Sequence, residues 1–191
     1  LDRDARLNCF SLNFGGQLSR HHVAVQLGAV GSEAHLYGLN LGRDHQHFDQ
    51  RIEANHTVGQ TASHQLFKTI LGDRARGVFN GRIYIAKDAQ NVNSSQKNHN
   101  LLLSSQAETD TKPELEIHAD EVKANHGATV GQLDQEQIFY MRSRGLTEEE
   151  AIRFLAEGFI EDVLQKVECR EVINVVRAKV HRRLDEFVAK V

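Results

Sequence analysis

Histidine is the residue through which this sequence could do chemistry: ten of its eleven copies precede residue 133, so that chemistry belongs to the N-terminal two thirds. His45 and His47 form an HxH pair, and side chains two apart on a strand point the same way. With Glu53 downstream, they offer two imidazoles and a carboxylate, a donor set suited to a divalent metal ion. His126 is the second candidate. It sits beside Gly127 in EVKANHGATVGQLDQEQIFYMRSRGL, residues 121–146, where a strand-like pattern gives way to a helical one. A neutral imidazole can ligate iron, and a glycine beside it lets the backbone turn sharply or approach a neighbour closely. On its own, the pair reads as a histidine capping a turn.

Other chemistries find no support. No GxSxG elbow, GxxxxGK[ST] loop or GxGxxG loop occurs. Glu148, Glu149 and Glu150 read as a complement to a helix dipole, not as an acid–base pair. Cys9 and Cys169 are far apart, outside any CxxC pattern, and read as reduced structural thiols of a cytoplasmic protein.

Two kinds of element must position these residues. Up to about residue 132, short runs alternate with period two: Val23, Val25 and Leu27; Ile83 and Ile85; Leu115 and Ile117. Pairs such as Gly15-Gly16 and Asn80-Gly81 read as tight turns between half-buried strands. No amphipathic helix interrupts these runs, which argues against a βαβ sheet, while a sandwich, a barrel and a β-helix all remain.

Beyond Gly131 the period changes to that of helices. Asp134 is placed to cap a helix that begins DQEQIFYMRSR, with Gln137 as capping-box partner, and Gly145 is placed to end it. Thr147 and Glu150 form a second capping box. Ile152, Leu155, Phe159 and Val163 then share one face, widened by Ala156, Ile160, Leu164 and Val167. A last helix carries Ile173, Val176, Val180, Leu184, Phe187 and Val191. These stripes are expected to pack on one another and on the β unit.

Composition bounds the function. Apolar residues at 40% and charged residues at 26% are ordinary for a globular protein, and a net charge of −3 argues against nucleic-acid binding. No apolar run is long enough to span a membrane.

Whole phrases carry more than single residues. GRDHQHFDQRIEANHTVG loosely resembles the first metal motif of cupins, which makes a cupin-like metal-dependent enzyme using His45, His47 and Glu53 the alternative reading. Both spacings are off, and no second motif supplies a third histidine. By contrast, GVFNGRIYIAKDAQNVNSSQKNHNLLLSS (77–105), AETDTKPELEIHADEVKANHGATVG (107–131) and DQEQIFYMRSRGLTEEEAIRFLAEGF (134–159) resemble the SufB/SufD family of iron–sulfur cluster assembly proteins. The likeness runs from about residue 20 to the end. SufB-like chains of that family carry a cysteine where Met141 stands in IFYMRSRG, whereas SufD-like chains carry a His-Gly pair, matched here by His126 and Gly127. The sequence is therefore similar to the SufD-like branch. Relatives often place a cysteine two residues before that histidine, where this chain has Ala124, so no thiol at 124 takes part.

The resemblance implies a mainly β fold, a right-handed parallel β-helix over 1–132 followed by a small α-helical subdomain over 133–191. An N-terminal helical region is normal in SufD-like chains. This sequence, which opens at Leu1, is thus expected to be a piece of a longer protein. The implied function is a non-catalytic scaffold that pairs with SufB through the β-helix and docks the ATPase SufC through its C-terminal helices. Phe139, Tyr140, Arg142 and Arg144 are the aromatic and arginine anchors expected to meet SufC. His126 is expected to be an iron ligand at the SufB interface, beside a SufB thiolate, for a nascent iron–sulfur cluster held transiently. Reduced flavin is the electron source implied for the whole complex, and no tightly bound cofactor is expected on the isolated chain. In isolation a homodimer is expected to stand in for the SufB pairing, through exposed strand edges.

Overall fold

A computed structural model describes residues 1–188; Val191, the last position of the helical stripe, lies outside the described residues. The strands are β1 Arg6–Asn13, β2 Leu18–Leu27, β3 Glu33–Gly42, β4 His47–His56, β5 Ala62–Leu71, β6 Arg76–Ile85, β7 Val92–Leu102, β8 Glu108–Ile117 and β9 Val122–Gln132. The helices are α1 Gln135–Ser143, α2 Glu148–Leu164 and α3 Arg170–Val188. Odd-numbered strands form one sheet, in the order β1-β3-β5-β7-β9, and even-numbered strands form the other, β2-β4-β6-β8. Every pairing is parallel and in register along the strand. The chain thus winds as a solenoid whose every turn adds a strand to each sheet. This is the parallel β-helix.

Register stacks side chains into columns along the solenoid axis. Val25, Ala54 and Ile83 stack in one, and Leu27, His56 and Ile85 in the next; all six are buried inside the coil. Between the sheets, Val25, Leu27, Ala34, Leu36, Ile52, Ala54, Phe67 and Phe79 form one core. Their burial follows from the period-two pattern seen in sequence.

Gly16, at φ 77°, does lie in a turn, between β1 and β2, but Asn80-Gly81 lies inside β6. The glycine is there for space. A Cβ on Gly81 would stand 2.4 to 2.6 Å from the amide of Gln96, which reaches across the interior from β7.

The helices cover the outer face of the β1-β3-β5-β7-β9 sheet. Leu39, Leu41, Ile70 and Leu101 of that sheet meet Ala156, Ile160, Val163 and Leu164 of α2 and Val176, Val180, Leu184 and Phe187 of α3. Thr147 caps α2 in a reciprocal box with Glu150, and Gly145, at φ 98°, ends the preceding segment. Asp134 caps α1 through the Glu136 amide; its side chain therefore serves the second helical residue rather than Gln137. The other sheet leaves its outer face to solvent as rows of ion pairs, among them Arg76–Asp110, Arg82–Glu116 and Lys112–Glu114.

Candidate functional site

At the same end of the solenoid, each sheet ends on a strand paired on one side only, β9 in one and β8 in the other. Together these strands make an open rim whose backbone edges have no neighbour among the described residues. Inside the rim, β8 places Thr109, Thr111, Pro113, Leu115 and Ile117 in the columns of Gly77, Phe79, Gly81, Ile83 and Ile85. On the other side, β9 places Val122, Ala124, His126, Ala128 and Val130 in the columns of Val92, Ser94, Gln96, Asn98 and Asn100. Those five β7 residues are buried, whereas the β9 residues above them are exposed or half-exposed because no further turn covers them. Ile117 is 39% exposed and Val130 49%, so the rim is partly apolar as well as unpaired.

His126 therefore lies in the middle of β9, on the inward-pointing column, at the open end. This differs from the strand-to-helix seam and from a turn-capping role: β9 continues to Gln132 before α1 begins. Gly127 is likewise no turn. It has no positive φ, and a Cβ added there would meet nothing within 4 Å. What its missing side chain leaves is a bare stretch of edge next to the imidazole.

Among the described residues no group of three or more His, Cys, Asp or Glu side chains is placed to hold a metal ion. The alternative triad fails on distance. His45 sits in the turn before β4, His47 opens that strand, and Glu53 lies six residues further along it, about 20 Å away at strand rise. Glu53 is engaged elsewhere, 2.6 Å from Arg51 Nε and 3.3 Å from His22 Nε2. The Arg51 hydrogen bond holds its carboxyl below the usual range. A cupin site is not built here.

Polar side chains from both sheets cluster inside the coil below the rim, and sequence reading missed them. His56 Nδ1 is 2.7 Å from Thr61 Oγ1, its Nε2 is 2.9 Å from Ser63 Oγ, and Ser63 Oγ is 2.7 Å from Ser94 Oγ. Burial pushes the His56 pKa down to about 4 and keeps the ring neutral. Gln96 Nε2 donates to Gln65 Oε1 at 2.8 Å. The stretch NSSQKNHN hides these residues because inward and outward positions are both polar, so the period-two contrast vanishes.

The four residues expected to meet SufC are on α1 and its end. Phe139 is 74% exposed and Tyr140 59%, so neither belongs to the core, which takes buried Ile138 and half-buried Met141 from this helix. Arg142 pairs with Glu148 of α2 at 3.0 Å. The Arg144 guanidinium lies over the Tyr140 ring, 5.2 Å from its centroid. Exposed aromatics beside arginines are the composition of an interface centre rather than of ordinary surface.

A family model described as "SUF system FeS cluster assembly, SufBD core domain" matches residues 1–159. The chain is 38% identical over 184 residues to "Iron-sulfur cluster assembly protein SufD" of Escherichia coli, covering 96% of this chain and 44% of that protein. It is 36% identical to an iron–sulfur cluster assembly SufBD family protein of Synechocystis, covering 86% of this chain and 36% of that one. With "Protein ABCI7, chloroplastic" of Arabidopsis thaliana it shares 32% identity over 92% of its own length and 37% of the other's. The chain thus spans less than half the length of these relatives.

Proposed function

The chain belongs to the SufB/SufD family of iron–sulfur cluster assembly proteins and is SufD-like, and on that premise we propose that it is a non-catalytic scaffold whose open rim pairs with SufB. Its role in cluster assembly follows from the family. The observation that carries the finer reading is His126: one imidazole, inward-pointing, on an unpaired and partly apolar edge, in no group of three or more metal-ligating residues among those described. Edge strands of this kind pair with a neighbouring chain, and β-strand addition supplies main-chain hydrogen bonds across the join. A SufB strand laid along β9 brings SufB side chains to His126, and a thiolate among them completes an iron site for the nascent cluster, which is cargo. Bare backbone at Gly127 lets that strand come close. In the absence of SufB, the same edge accepts a second copy and gives a homodimer.

Just past the end of β9, α1 offers Phe139, Tyr140, Arg142 and Arg144 to the ATPase SufC. Nucleotide hydrolysis then belongs to SufC, in keeping with a sequence that lacks a phosphate loop. Reduced flavin, if it supplies electrons, serves the whole complex, which works in the cytoplasm.

The test is co-purification with SufB and SufC followed by iron and sulfide analysis of wild type and His126→Ala. Normal assembly with cluster yield reduced about tenfold or more supports the reading, a loss of the size seen when partners that orient a metal ligand are removed. Normal assembly with full yield rejects the ligand role.

A further inference from the structure

The column that ends at His126 holds two unmet amide atoms, Gln65 Nε2 and, nearest the rim, Gln96 Oε1. Its rungs are Cys9, Leu36, Gln65, Gln96 and His126, one from each strand of the five-stranded sheet. Gln96 is fully buried, and its amide lies flat against Gly81, where any side chain would collide with it. One face of the amide is used: Nε2 donates to Gln65 Oε1 on the rung below. The other is not. Gln96 Oε1 is buried without a hydrogen-bond partner among the described residues. A buried acceptor left unmet costs about 1–3 kcal/mol, so a donor that comes within reach of it is favoured. The next rung in its column is His126, one strand spacing of about 4.8 Å away. At that spacing, an exposed imidazole is free to turn a ring N–H toward the oxygen.

We propose that Gln96 is a positioning residue for His126: its amide oxygen accepts the imidazole N–H, so the proton is fixed on one ring nitrogen and the other nitrogen turns its lone pair out of the rim. Histidines that bind metals donate their second N–H to such an acceptor, which sets the tautomer and the ring plane. Gln65 and Gly81 serve the same end, one by anchoring the amide and the other by making room for it. The proposal rests on the reading of His126 as a ligand only for its purpose; the clamp itself is a property of this chain.

Histidine-selective 15N labelling tests the clamp without any cluster chemistry, at a pH where the ring is neutral. His126 resonances are assigned by their loss in His126→Gln. In wild type, one ring nitrogen is expected to be of protonated type and the other of lone-pair type, as in a single tautomer. In Gln96→Leu the two shifts converge toward exchange-averaged values, and Gln96→Glu, which keeps an acceptor, restores the separation. Averaged shifts in wild type, or wild-type shifts retained in Gln96→Leu, overturn the proposal. Gln96→Met is the substitute if the leucine variant does not fold, and the wild-type measurement stands without either. Cluster yield separates the two readings. Tautomer loss in Gln96→Leu together with full yield in His126→Ala keeps the clamp and sinks the ligand role. A yield lost in His126→Ala but not in Gln96→Leu, with averaged shifts throughout, does the reverse.

Discussion

Lys68 of β5 and Asp162 of α2 meet at 2.7 Å, with the Lys68 side chain 9% exposed and the Asp162 side chain 57% exposed. The ammonium also donates to the Phe159 carbonyl and lies over the Phe159 ring, 4.6 Å from its centroid. This asymmetry predicts unequal partners. Asp162→Ala strands a buried cation and is expected to cost about 1–3 kcal/mol. Lys68→Met keeps the packed stem, frees an already hydrated carboxylate, and is expected to cost about 1 kcal/mol or less. Denaturant melts of the two variants check the order.

Gly81→Ala is expected to destabilise by about 1–3 kcal/mol, because a methyl group there overlaps the Gln96 amide. In Gly81→Ala/Gln96→Ala the amide is gone, so the double variant should lose less than the sum of the singles. A double-mutant cycle by thermal or chemical unfolding measures that coupling.

Acid should loosen the solenoid before most carboxylates titrate. His56 holds a pKa of about 4 when folded, below its usual value of 6.5, so the unfolded chain binds a proton that the folded chain refuses. Its contribution is fully present above pH 6.5 and falls by about 1.4 kcal/mol per unit as pH drops toward 4. Burial lowers His64 and His99 too, with the same sign. Replacement of His56 by Gln should flatten the slope of stability against pH between 6 and 4.5 by about one proton's worth. An unchanged slope would mean that the buried ring is not the group responsible.

Charge and bulk on α1 can be altered without touching the core. Phe139→Asp or Arg144→Glu is expected to change stability by no more than about 0.5 kcal/mol, since both side chains lie at the surface. The same changes should abolish SufC capture in a pull-down. Retained capture with either variant would move the SufC contact away from this helix.

Local chemistry made part of this molecule readable. Val25, Leu27, Ile83 and Ile85 announced strands because they alternate with smaller or more polar residues, and Thr147 with Glu150 announced a helix start because the box closes within four residues. The coil itself came from whole-phrase resemblance, since stacking of Leu27 on His56 on Ile85 joins residues about thirty apart and leaves no local periodicity. Asn80-Gly81 was misread for the same reason. Its glycine answers to Gln96, fifteen residues on and in the other sheet, and no two-residue pattern contains that fact.

The make-up of the interior changes along the axis. Toward the start, the five-stranded sheet fills the coil with Ala34 and Leu36; by β7 the inward places hold Ser94, Gln96, Asn98 and Asn100. Amides and hydroxyls hold a turn together only while every bond is made, whereas aliphatic contacts tolerate slippage. Heat or denaturant should therefore peel the molecule from its exposed mouth backward, and a companion chain seated on that mouth would act as a stopper against unravelling.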